Sequence, residues 1–265
     1  MVFFITFVVL LLLIISRSLK QINASYADTM HNNNFTLCFN QLKIKKMDSL
    51  NDFLIQKPRP LPVIVAVDRS GSMGANGKIE ALNIALKDFI NSIKEEDSNK
   101  AEIQIALFSF GGDSATCDIP LTPINLLSSK TYQTQGKTPM GGAFKMLKDL
   151  IEDKVQIPSR SYKPTIVLLT DGIPTDDYES PMNALINEGR SSKAFRIAMA
   201  IGDDADHNML SKFVSTPEYL VTGESARDIR KFFRFVTMSV TQRMKSQTPD
   251  MLQVPTMPDD DTLDF

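Results

Sequence analysis

With 265 residues, 43% of them hydrophobic and 23% charged, the chain has the make-up of a globular protein holding one large domain, or one medium domain with extensions. The formal net charge is −2, but residues 1 to 46 carry five Lys or Arg and one acid. That leaves 24 basic against 30 acidic residues, or −6, for the rest, which argues against a nucleic-acid-binding surface as the main business.

Cys38 and Cys117 lie far apart with no CxxC pairing, so neither a disulfide framework nor a thiolate zinc site is signalled. Of the two histidines only His207 falls in the probable domain. A Ser-His-Asp triad or a His-rich metal site has little material to be built from.

Residues 2–15, VFFITFVVLLLLII, are a 14-residue apolar run closed by Arg17 and Lys20. As a helix it would reach roughly 21 Å, short of the roughly 30 Å hydrocarbon core of a bilayer. It is closer to a signal-peptide apolar region than to a membrane span, yet it lacks a basic start and a clean cleavage site. A third reading starts translation at Met47, which makes the protein cytoplasmic; retention of residues 2–15 would instead anchor or export it. Residues 1–46 are therefore set apart as a leader and unstructured segment, and 47–61 as a linker ending in the stiff KPRPLP. Asn23-Ala-Ser and Asn34-Phe-Thr match glycosylation sequons but carry no meaning in a cytosolic leader.

Val63 to Val67 is a strand of buried-type residues, the habit of a parallel sheet covered on both faces. It runs into Asp68-Arg-Ser70-Gly-Ser72, one carboxylate and two hydroxyls on a tight turn. Leu82, Leu86, Phe89, Ile90 and Ile93 then follow helical spacing, which predicts an amphipathic helix over Lys78 to Glu95. Glu102 to Phe110 is the second strand. Cys117 to Leu121 is a short edge strand that Pro120 and Pro123 are expected to keep short.

GKTPMGGAF, residues 136–144, opens a helix with Phe144, Leu147, Leu150 and Ile151 on its apolar face. Thr165 to Leu169 is another bare apolar strand, running into Thr170-Asp171-Gly172. Ser180 before Pro181 predicts a helix N-cap, with Gly189 as the stop. Phe195 to Ile201, His207 to Val214 and Tyr219 to Val221 read as strand, helix and short strand. Ser225 and Asp228 form a capping-box pattern before a final helix lined by Ile229, Phe232, Phe233, Val236 and Val240. From Ser246 the chain has no Lys or Arg, five Asp and three Pro, the composition of a disordered acidic tail. The alternation of strand and helix defines a doubly wound α/β fold.

In such a sheet the ligand site lies at the C-terminal ends of the strands that flank the reversal of strand order. Three loops offer oxygen ligands there: Asp68, Ser70 and Ser72 from the first, Thr138 from the second, Asp171 from the third. An oxygen-only set suits a hard cation such as Mg²⁺. The stretch DRSGSM, a Thr in GKTPMGGA and then TDG resembles the metal-ion-dependent adhesion site of von Willebrand factor type A domains, over about residues 62–243.

The resemblance implies a mostly parallel six-stranded sheet of order 3-2-1-4-5-6 with one antiparallel edge strand, in a domain over 62–245. It implies that Ser70, Ser72 and Thr138 touch Mg²⁺ (or Mn²⁺ or Ca²⁺), while Asp68 and Asp171 hold it through waters and hydrogen bonds. The ion's open position would take an Asp or Glu from a protein partner, with no enzymatic step. TDGIPTDD at 170–177 and FFRFVTMSV at 232–240 resemble more closely the tellurium-resistance-associated, TerY-type branch. That branch implies a bacterial stress system with a protein kinase and a phosphatase alongside.

Competing readings fare worse. The GKT of residues 136–138 invites a phosphate loop, but the required first Gly falls on Thr131. A Mg²⁺-dependent phosphoryl-transfer enzyme of the haloacid-dehalogenase kind needs a second Asp where Ser70 stands, and no general base is evident. A secreted adhesin rests on residues 2–15. Gly202 to Asp206 hints at calcium, yet an EF-hand started at Asp204 puts Met209 where Gly is needed and Ser215 where Glu is needed. Asp176 and Asp177 read as a solvated rim. The ligands are expected at the sheet edge and outside the core, so that replacing Asp68 or Asp171 leaves the fold intact.

Overall fold

The computed structural model describes residues 58–96, 101–251 and 255. The leader, Met47 and most of the acidic tail lie outside the described residues. Six strands form a single sheet: β1 (Arg59–Asp68), β2 (Ala101–Gly111), β3 (Ser114–Pro123), β4 (Thr165–Thr170), β5 (Phe195–Ile201) and β6 (Leu220–Gly223). Their order is β3-β2-β1-β4-β5-β6, as the resemblance implies. All neighbours pair in parallel except β2 and β3, which are antiparallel. Among the described residues four α-helices lie between strands, α1 (Lys78–Glu95), α2 (Met140–Glu152), α3 (Glu179–Asn187) and α4 (His207–Phe213), and a fifth, α5 (Ala226–Lys245), follows β6.

Every residue of β4 and all but the first of β1 are buried, so both faces of the sheet centre are covered. The helical stripes point inward as their spacing requires. Leu82, Leu86, Phe89, Ile90 and Ile93 of α1 are all buried, as are Ile229, Phe232, Phe233, Val236 and Val240 of α5. The two helices pack along each other, with the Phe89 and Phe233 rings 5.8 Å apart; α2 packs against α3. Ser225 and Asp228 close the capping box of α5. Among the described residues no helix is long and apolar enough to cross a membrane.

Three boundaries differ from the sequence reading. β1 begins at Arg59, not Val63: its first four residues, Pro60 and Pro62 among them, pair with β2 alone, because pairing with β4 starts at Val63. β3 extends from Ser114 through Pro120 to Pro123; it is an edge strand with irregular register near Leu107, where proline costs no ladder bond on the open side. α3 starts two residues earlier than the Ser180 signal, with Tyr178 in place of Ser180 at its N-cap.

At the N-terminal ends of the strands, Ser246 to Met251 are tied to the domain, although composition groups them with the tail. Arg243 donates to the Pro249 and Lys163 carbonyls at 2.8 Å each and to Thr165 Oγ1, and its guanidinium stacks over Phe195 at 4.2 Å. Asp250 accepts from the Lys163 N–H at 2.8 Å and stands 3.7 Å from Arg243.

Candidate metal-ion site

Asp68 is the last residue of β1 and Asp171 follows the last residue of β4. These two strands are neighbours, and the chain leaves them toward opposite edges of the sheet. The two carboxylates therefore flank the switch point, where a doubly wound sheet opens a crevice. Both are buried, Asp68 at 0% and Asp171 at 1% exposure. This corrects the expectation that they lie outside the core: each is set against the sheet end and held by hydrogen bonds.

Asp68 Oδ1 accepts from the Ser70 N–H at 2.7 Å, and Oδ2 accepts from Thr170 Oγ1 at 2.6 Å. Ser70 Oγ lies 3.0 Å from Ser72 Oγ, and Ser72 Oγ donates to Asp171 Oδ1 at 2.7 Å. The other Asp171 oxygen accepts from Lys78 Nζ at 2.8 Å. Ser70, Ser72, Asp171 and Lys78 thus form one continuous chain of polar contacts. Ser72 is its exposed member. Burial pushes the Asp68 carboxyl up to about 6, with nearby Asp171 adding to the rise, against the hydrogen bonds from Thr170 and Ser70.

The second loop is threaded between the first and the end of β2. The Gly71 N–H donates to the Gly136 carbonyl at 2.9 Å, and the Gln135 N–H to the Arg69 carbonyl at 2.6 Å. The Gly112 N–H meets the Gln135 and Lys137 carbonyls. Gly112 and Gly136 both have positive φ, and a Cβ on Gly136 would stand 3.1 Å from the Gly112 Cα. Only a backbone without side chains crosses this closely. Asn83 of α1 grips the same loop, exchanging hydrogen bonds with the Tyr132 N–H and carbonyl.

The crossing delivers Thr138, 5% exposed, to the same spot. A Cβ on Gly172 would stand 3.5 Å from Thr138 Oγ1 and 3.9 Å from Ser72 Oγ. The missing side chain leaves a space bounded by two neutral hydroxyls, beside Ser70 and two carboxylates. An all-oxygen set with hydroxyls on its open side fits a hard divalent cation. All five residues singled out from the sequence are thus brought together.

Three contributors escape sequence reasoning. Thr170 reads only as the residue leading from the strand into Asp171, yet it closes β4 and holds Asp68. Lys78 reads as one polar residue of an amphipathic helix. Asp176, taken for solvated rim, accepts from the Gly141 and Gly142 N–H groups at 2.8 Å each and so caps α2 from another loop. A Thr/Asp-rich loop after β4 was the only signal for it. Asp206, in the stretch that hints at calcium, is the N-cap of α4, accepting from the Met209 N–H at 2.9 Å. Among the described residues no cluster of three His, Cys, Asp or Glu is placed to hold a metal.

A doubly wound sheet bearing hydroxyls and carboxylates at its switch point defines a class of α/β cation-site domains. The family comparison narrows this: the von Willebrand factor type A domain matches residues 63–235, and the chain belongs to that family. Domains of the family are generally non-enzymatic interaction or adhesion modules. No curated protein matches.

Among solved structures, the pilus adhesin SpaC of Lactobacillus rhamnosus GG aligns with TM-score 0.59 at 14% identity, over 71% of this chain and 31% of SpaC. The von Willebrand factor domain of the type V pilus tip protein Mfa5 from Porphyromonas gingivalis aligns with TM-score 0.54 at 14% identity, over 71% of this chain and 97% of that one. Proximal thread matrix protein 1 from the mussel byssus, with a zinc-occupied MIDAS motif, aligns with TM-score 0.51 at 18% identity, over 70% and 46%. The chain spans about a third of SpaC and under half of the byssus protein. At these identities the likeness is one of fold.

Proposed function

We propose that the domain is a non-enzymatic, metal-ion-dependent protein-binding module. The observation that carries this reading is the Ser70–Ser72–Asp171 chain at the switch point, with Thr138 facing the same space. Ser70, Ser72 and Thr138 would hold Mg²⁺, or Mn²⁺ or Ca²⁺, with Asp68 and Asp171 acting through waters and hydrogen bonds. A divalent ion so held offers an electron-poor open position to an outside carboxylate. The chain's own part is to offset the ion's charge with two buried carboxylates while touching it through neutral oxygens. The partner supplies an Asp or Glu. The zinc-occupied motif of the byssus protein supports a divalent ion at this place in the fold and leaves its identity open.

A cytoplasmic location, which goes with a start at Met47, belongs to the same proposal; intact mass of the natively expressed protein tests it. The tellurium-resistance setting, with its kinase and phosphatase, rests on TDGIPTDD and FFRFVTMSV alone. The latter stretch lies within α5 and includes five buried core residues, so its composition also answers to packing.

The test is an EDTA-reversible pull-down from the native cell. Asp171→Asn and Ser70→Ala are expected to abolish capture of the partner while far-UV circular dichroism stays unchanged. Asn is preferred to Ala at 171, because truncation would leave Lys78 buried without an acceptor. Recovery that is unchanged in both variants, or insensitive to EDTA, sinks the metal-bridged reading.

A further inference from the structure

Lys78 is the first residue of α1, directly after Gly77. A helix N-terminus carries partial positive charge, so its first turn favours Asp or Glu and disfavours a cation. Nothing in the helix asks for lysine there. The side chain is nevertheless drawn in to 14% exposure, and its ammonium sits 2.8 Å from the fully buried Asp171 carboxylate.

With this contact every carboxylate oxygen of the site has a donor. Asp68 is served by the Ser70 N–H and Thr170, and Asp171 by Ser72 and Lys78. Before any ion arrives, the two carboxylates and Lys78 sum to one net negative charge, half of what the carboxylates alone would offer a cation. A cation entering the space between Ser70, Ser72 and Thr138 meets a fixed positive charge already paired with one of its two counter-charges. The sum also changes on the loaded side: two carboxylates neutralise a divalent ion, and Lys78 leaves the assembly with one net positive charge.

We propose that Lys78 is the internal counter-cation of this site, weakening the binding of a divalent ion alone and strengthening the grip of the loaded site on an outside carboxylate. This rests on reading the Asp68–Asp171 cluster as a cation site. Lys78 is a specificity-setting residue: it shifts affinity from the bare ion to the complex of ion and acidic partner. At the effective dielectric of a protein surface, one unit charge a few ångströms away is worth about tenfold or more in ion affinity.

The experiment titrates the full chain with Mn²⁺ and follows free Mn²⁺ by electron paramagnetic resonance. Acetate is then added to the Mn²⁺-loaded protein, and water-proton relaxation reads the displacement of bound water. Lys78→Met keeps length and volume without charge; Lys78→Arg keeps the charge. Lys78→Met is expected to bind Mn²⁺ about tenfold more tightly and acetate several-fold more weakly, with Lys78→Arg close to the unaltered protein. Mn²⁺ affinity that is equal or lower in Lys78→Met overturns the proposal.

If Ser70→Ala weakens Mn²⁺ binding while Lys78→Met leaves it unchanged, the cation site stands and the role of Lys78 falls. If neither the unaltered protein nor Lys78→Met binds Mn²⁺, both fall together. A measurement without metal adds an independent check. In EDTA, Lys78→Met and Asp171→Asn are expected to be strongly non-additive in thermal unfolding, and additive shifts would likewise overturn the pairing.

Discussion

At the N-terminal ends of the strands, Arg243 lies 4% exposed with its guanidinium bonded to two main-chain carbonyls and the Thr165 hydroxyl. Burial pulls it down to about 10, with Asp250 the main opposing influence, so it stays charged at neutral pH. At the C-terminal ends the buried charges are the Asp68 and Asp171 carboxylates. Their partners are mainly hydroxyls and one lysine side chain. Main-chain carbonyls cannot leave without unfolding the segment that carries them. Hydroxyls rotate, and a lysine ammonium can re-aim its hydrogen bonds while its charge stays in place. Both ends bury charge, but only one holds it with exchangeable partners, and that difference separates a lock from a site.

Removing Arg243 is expected to have the largest effect. Arg243→Ala strips three acceptors of their donor, takes from Asp250 the guanidinium 3.7 Å away and empties the space over Phe195. A loss of about 3 kcal/mol in folding stability is expected by denaturant unfolding. Mn²⁺ affinity, measured where the protein remains folded, should not move. A stability loss well under 1 kcal/mol, or a change in ion affinity, would mean that the two ends are not distinct in the way argued here.

At the other end the sign reverses. Asp68 has its folded-state pKa raised from 3.8 to about 6. Between those values the folded protein holds a proton that the unfolded chain has lost. In EDTA its contribution to stability is therefore fully present below about pH 4 and is lost as pH rises through about 6. Asp68→Asn removes the ionisation. Its amide oxygen still accepts from the Ser70 N–H, and its amide N–H group donates to a Thr170 hydroxyl that turns round. The variant is expected to gain about 2 kcal/mol at pH 7 without metal and to lose the pH slope between 4 and 6. An unchanged slope in chemical unfolding at pH 4, 5, 6 and 7 would contradict this.

What the sequence discloses follows from how local each signal is. Strands β1, β4 and β5, helices α1, α2 and α5 and the Ser225–Asp228 box are legible because their periodicity or spacing is contained in one short stretch. The five candidate residues are conspicuous: Asp68, Ser70, Ser72 and Asp171 come right after apolar strands, and Thr138 stands in the glycine-flanked opening of a helix. Lys78 is not, since its partner lies 93 residues away and a polar residue at a helix start has no distinguishing pattern. Thr170 hides inside an apolar strand for the same reason, its bond reaching back 102 residues. Pro120 and Pro123 mislead about the length of β3 and not about its place: it reads as an edge strand and is one, but the rule against proline relaxes there, so the strand runs on to Pro123.

Asp176 sets the finest test, because it belongs to both halves of the comparison: a fixed partner that serves the exchangeable ones. Helix α2 begins at Met140 after Pro139, whose side chain has no acceptor to offer its first N–H groups. Asp176 fills that need with both oxygens, and a carboxylate at a helix N-terminus is favoured twice, by hydrogen bonds and by the dipole. The same contact ties the loop bearing Asp171 to the loop bearing Thr138. Asp176→Ala is expected to cost about 1 kcal/mol in denaturant unfolding, with Asp176→Asn intermediate, and to weaken Mn²⁺ binding several-fold because Thr138 is less firmly held. If stability falls while Mn²⁺ affinity stays put, then Thr175, donating its N–H to the Thr138 carbonyl at 2.9 Å and accepting from the Thr138 N–H on Oγ1 at 3.1 Å, fixes Thr138 without help from the helix cap.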